Sequence, residues 1–96
     1  MNQEQIEQLE NERVRGNKAE GVYTSYVKDF CQVKRESLFM TFSELPLTAE
    51  REMFEVKRML FAIDTLEAEI LSEIETGRLA TVSLNEATVQ NGHEVH

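Results

Sequence analysis

The chain has 96 residues, of which 41% are apolar, 7% aromatic and 29% charged, with no tryptophan and a single proline. A chain this short forms one domain at most with a thin core, and so low an aromatic content suits helices better than a sandwich or barrel. A net charge of −8, one cysteine and no apolar run of about 18 residues argue against nucleic-acid binding, an internal disulfide and a membrane span.

The start, Met1-Asn2-Gln3-Glu4-Gln5, is polar and acidic rather than basic and then apolar, so no secretory signal is expected. From Asn2 to about Glu20, Glu, Gln, Arg and Lys favour helix, but the apolar residues are only Ile6, Leu9, Val14 and Ala19, so this helix needs a partner. Gly16 and Gly21 each weaken a helix by about 1 kcal/mol relative to alanine, which places a bend or break near residues 16–22.

From Val22 the apolar residues Tyr23, Tyr26, Val27, Phe30, Val33, Leu38 and Phe42 recur mostly at three- and four-residue steps, the signature of a second, amphipathic helix. Pro46 has no backbone N–H and biases Leu45 away from helical geometry, so this helix ends at residues 43–47. The short connection predicts an antiparallel return.

Thr48 is the candidate N-cap of a third helix from about Ala49, with Glu50 and Glu52 complementing its dipole. Val56, Ile63 and Ile70 lie seven residues apart, with Leu60, Leu66 or Glu67, and Ile74 between them, a coiled-coil-like seam of three heptads. Residues 46–77 carry eight acids and three bases, the most acidic part of the chain. Gly77 is placed as the C-cap that stops the helix, and Ser83 and Glu86 have the spacing of a capping box for a short helix over residues 84–90. The remainder, to His96, reads as a flexible tail, giving a helical domain over 1–80 and a short helix and tail over 81–96.

No constellation points to catalysis. Glu52 with Glu55, or Glu69 with Glu73, share a helical face, but paired carboxylates act as acid and base only where their surroundings separate their pKa values, and these belong to a solvated face. His93 and His96 flank Glu94 without the further ligands a zinc site needs, and Cys31 has no histidine base in the helical body. The glycines at 16, 21, 77 and 92 are isolated, so no phosphate-binding loop forms and no cofactor is expected. The basic cluster Lys28, Lys34 and Arg35 is read as pairing with acids of the third helix, and Met40, Met53 and Met59 as core fillers or an adaptable contact surface.

The apolar surplus is more informative. A single hairpin leaves Phe39, Phe42, Phe54 or Phe61 partly exposed, which marks an interaction surface unless the monomer buries them in a three-helix arrangement. The strings Leu9-Glu10-Asn11-Glu12 leading to Arg15-Gly16 and Ala19, Tyr26-Val27-Lys28-Asp29-Phe30, Ala49-Glu50-Arg51-Glu52, and Ile74-Glu75-Thr76-Gly77-Arg78-Leu79-Ala80 are further markers. Together, over residues 9–80, they resemble short helical proteins encoded in the virion-morphogenesis regions of tailed bacteriophages. The resemblance implies a viral or prophage structural setting, in the virion or in the host cytoplasm during assembly, with no enzymatic activity and no inherited site residues.

The expectation is an all-α protein: an antiparallel helical hairpin with an additional N-terminal helix. It acts through protein contacts with itself or a larger phage structural protein, without nucleic acid, membrane or cofactor. Val56, Leu60, Ile63, Leu66, Ile70 and Ile74 form the seam, while Tyr23, Tyr26, Phe30 and Phe42 close the hairpin or meet the partner. The alternative is an acidic regulator whose carboxylates occupy a basic groove of nucleic-acid machinery.

Overall fold

The computed structural model describes the backbone of residues 1–95 and the side chains of residues 1–88, and among these it is all-α. Helix α1 spans Gln3–Val22, a π-helical turn Tyr23–Val27 follows without interruption, α2 spans Lys28–Glu44, and α3 spans Glu50–Val95. The chain divides into two compact units, one formed by Met1–Gly21 with Ile70–His96 and the other by Val22–Glu69. The first pairs α1 with the later part of α3; the second is an antiparallel hairpin of α2 and the earlier part of α3.

Helix α1 opens with a reciprocal cap. The Gln5 N–H donates to Asn2 Oδ1 at 2.8 Å and the Asn2 N–H to Gln5 Oε1 at 3.0 Å, so two end donors that would lack intrahelical partners are satisfied together. The Asn-x-x-Gln spacing was the available signal for it. Of the bend or break expected near residues 16–22, the break does not occur, because α1 runs through both glycines. Gly16 is buried against Gly77: a Cβ added to Gly16 would lie 2.6 Å from the Gly77 Cα, and one added to Gly77 would lie 2.7 Å from the Gly16 Cα. The glycines permit close backbone approach, and the packing gained there outweighs their poor helix propensity. Gly77 is therefore no C-cap.

The irregularity falls one step later, in the hairpin unit. The Lys28 N–H bonds to the Tyr23 carbonyl five residues back, closing a π turn. Tyr23, Val27, Cys31 and Arg35 are the less exposed positions of this stretch, followed by Leu38. Three successive four-residue steps drift by about 120° around a regular α-helix, and the wider π turn absorbs that drift. Val22, Tyr26, Phe30 and Val33, expected on the apolar packing face, are exposed as a result.

The connection is as Pro46 requires. Leu45 is extended, at φ −71° and ψ 138°, directly after α2 ends at Glu44. The Ala49 N–H donates to the Pro46 carbonyl at 2.9 Å, and the Met53 N–H donates to the Ala49 carbonyl at 3.0 Å. Ala49 thus accepts the first bond of α3 and occupies the N-cap position expected of Thr48.

Helix α3 is longer than its glycine suggested. It continues through Gly77 and Ser83 to Val95, so the Ser83–Glu86 capping box has no helix end to cap and the separate short helix does not exist. Thr81 instead donates its hydroxyl to the Gly77 carbonyl at 3.0 Å, and Thr88 to that of Leu84 at 3.0 Å, each within the continuous helix. The side chains expected in a flexible tail, including His93 and His96, lie outside the described residues.

Candidate functional site

In the hairpin unit the less exposed stripe of α3 is Met53, Val56, Leu60, Ile63 and Glu67, at alternating steps of three and four. Such steps keep one helical face towards a partner helix. Val56 is buried and Leu60 and Ile63 are half-buried, but Leu66 is 51% exposed and Glu67 takes the seam position expected of it. In the other unit the stripe comprises Ile70, Ile74, Gly77, Ala80 and Leu84, of which Ile74, Gly77 and Ala80 are buried. The spacing allowed either residue 66 or residue 67; hydrophobicity favoured the leucine and the packing selected the glutamate.

Glu67 is tolerated there because it is fully engaged. Tyr23 donates its hydroxyl to Glu67 Oε2 at 3.2 Å, and Arg35 donates one nitrogen to Glu67 and another to Asp64 Oδ1 at 2.8 Å. The side chains of Glu67 and Arg35 are only 17% and 28% exposed, and a charged group so withdrawn from water needs such partners. The cluster shifts its neighbours. The Tyr23 hydroxyl is pushed above its ordinary pKa by burial first, then by the hydrogen bond to Glu67 and its charge. Burial likewise raises the Cys31 thiol, with the Glu67 charge adding and Arg35 opposing. Hydrogen bonds to Asp64 and Glu67 hold the Arg35 guanidinium protonated. A buried thiol held in its neutral form is a poor nucleophile, and a carboxylate occupied by two donors is a poor base. This chemistry supports a positioned polar lock between the helices. Arg35 answers the expectation that the basic cluster pairs with acids of the third helix.

The exposed residues gather into two apolar areas of the hairpin unit. Tyr26 and Phe30 stack with ring centroids 5.7 Å apart, and the Lys34 ammonium lies 5.8 Å from the Phe30 centroid. Farther along, Phe39, Phe42, Met53, Phe54 and Leu60 line an open groove of about 430 Å³ between α2 and α3, with Glu50 and Lys57 as its charged lining residues. The Arg58 guanidinium sits 5.9 Å from the Phe54 ring centroid, leaving that ring 61% exposed. Of the residues expected to close the hairpin or meet the partner, Tyr23 is withdrawn from solvent, whereas Tyr26, Phe30 and Phe42 are exposed. The sequence had no direct sign of the π turn that moves them.

In the other unit, two ion pairs flank the glycine crossing, Arg15 to Glu73 at 2.9 Å and Arg78 to Glu20 at 3.0 Å. Their exposure limits each to at most about 1 kcal/mol. Among the described residues no cluster of three or more His, Cys, Asp or Glu side chains is placed to hold a metal, and no helix is long and apolar enough to cross a membrane. Compared with known proteins, the chain matches no family model, no curated protein and no solved structure.

Proposed function

We propose that this chain is a non-enzymatic assembly protein of a phage or prophage, acting through helix–helix contacts with protein partners in the virion or in the host cytoplasm during assembly. The observation that carries the need for a partner is the open apolar groove of the hairpin unit, lined by Phe39, Phe42, Met53, Phe54 and Leu60, because apolar side chains gathered in one exposed area mark a contact site. Phe39 and Phe54 are each about three-fifths exposed there (59% and 61%). The phage setting rests on the sequence resemblance over residues 9–80.

The competing acidic-inhibitor reading draws on the carboxylates of residues 46–77. Asp64, Glu67 and Glu73 of that segment are engaged by Arg35 and Arg15 of the same chain, which leaves a weaker phosphate mimic than the composition suggests. The assembly reading is tested by tagging the chain in a producing phage or lysogen, separating particles and assembly intermediates on a density gradient, and locating the chain by mass spectrometry. Co-sedimentation with procapsids, tails or virions is expected. Its absence from every such fraction, with salt-sensitive binding to a basic nucleic-acid enzyme instead, would favour the inhibitor.

A further inference from the structure

We infer that the groove between α2 and α3 seats the same groove of a second copy of this chain, the two α3 helices crossing antiparallel about a two-fold axis at Met53 and Phe54. The inference rests on the reading of the chain as an assembly protein and names its first partner. A two-fold interface must be self-complementary, each surface element meeting its counterpart in reverse order. The groove's lining has that property. Glu50 and Lys57 carry opposite charges and lie seven residues apart, two turns along α3 and so on one face. In an antiparallel crossing centred between residues 53 and 54, Glu50 of each copy faces Lys57 of the other, and Phe54 faces Met53. The same register brings Leu47, 93% exposed beside the start of α3, to the opposite copy's Leu60 at the end of its groove.

The charge pattern agrees with this occupant. The chain as a whole carries −8, which disfavours indiscriminate self-association, whereas the groove contributes one charge of each sign and is otherwise apolar. Phe39, Phe42 and Phe54 supply aromatic anchors of the type that dominate protein interfaces.

The test is the mass of the full chain by light scattering with inline chromatography over about a hundredfold concentration range. A species of twice the 11.1 kDa chain mass is expected. Phe54→Asp should weaken the dimer by roughly thirtyfold or more, the size of a hot-spot loss, while far-UV circular dichroism shows the helices retained. Glu50→Lys and Lys57→Glu should each weaken it, since each places like charges across the axis, and the double variant should restore it. That restoration identifies the register without relying on the aromatic variant. A wild-type chain that is monomeric throughout, or a dimer indifferent to all these changes, overturns the inference. A monomer that still co-sediments with assembly intermediates defeats self-pairing and leaves the assembly role intact; a dimer absent from every particle fraction does the reverse.

Discussion

In the unit formed by Met1–Gly21 and Ile70–His96 the helices meet backbone to backbone at Gly16 and Gly77, whereas in Val22–Glu69 they are joined by side chains, through Val56, Cys31 and the Tyr23–Glu67–Arg35–Asp64 cluster. The first arrangement has no side chain that can rotate out of the way, so its tolerance of added volume is small. The second spreads its contacts over long side chains that can rearrange. The same two-helix pairing thus has a sterically strict form and an electrostatically strict form, and substitutions should separate them.

The largest effect is expected at the glycine crossing. Gly77→Ala gains helix propensity, but its methyl group meets the Gly16 Cα and the Glu12 carbonyl, both backbone, so the helices must separate. The net loss should be about 2 kcal/mol or more, a fall in Tm of roughly 10 °C, read by thermal denaturation. An unchanged Tm would show that this crossing is loosely held.

Next comes the polar cluster. Glu67→Ala leaves the Tyr23 hydroxyl and part of Arg35 without their acceptor, at a cost of about 1.5 kcal/mol. Replacing the three together, Tyr23→Phe with Arg35→Leu and Glu67→Leu, should recover most of that stability, because no buried polar partner is then stranded. If the triple variant were as unstable as the single one, packing rather than polar satisfaction would be the reason the cluster holds.

Deleting Thr24, which is exposed within the π turn, should let the segment close as ordinary α-helix and change stability by less than about 1 kcal/mol. Deleting Ala62, exposed on α3, is the contrast: it rotates the downstream stripe away from its partner helix and should unfold the hairpin, as urea titration of both variants would reveal. Gly21→Ala should stabilise by about 0.8 kcal/mol, since a Cβ there meets nothing within 4 Å. Gly16 and Gly21, five residues apart on one helix, therefore respond with opposite signs.

The smallest effect is alkaline. Cys31 and Tyr23 both titrate above their ordinary values in the folded chain, so the unfolded chain releases these protons first as pH rises. Their contribution is complete below the ordinary cysteine and tyrosine pKa values and is lost as pH climbs through the folded ones. Denaturant midpoints should decline as pH rises past the ordinary cysteine value of about 8.5, and Tyr23→Phe should flatten the part of that decline above the ordinary tyrosine value of about 10.

Much of this was legible in the residues themselves. Helix type, the end at Glu44 before Pro46, the antiparallel return and the Val56–Leu60–Ile63 stripe follow from propensity, a missing N–H and a period near 3.5, all local properties. The outward turn of Phe30 and Tyr26 was less legible. Their spacing is good α-helix spacing, and only the distribution of burial along α2 shows an extra residue taken up at Tyr23–Val27.

By itself, the sequence determined an all-α chain, acidic overall, with more apolar side chains than one hairpin can cover, because composition and periodicity depend on residues a turn or two apart. Tertiary structure decided what each ambiguous residue is for. Gly77 became a crossing point instead of a cap because Gly16, 61 residues earlier, lies against it, and Glu67 displaced Leu66 from the seam because Tyr23 and Arg35 reach it there. Those assignments depend on contacts between residues far apart in the chain, and no local pattern encodes them.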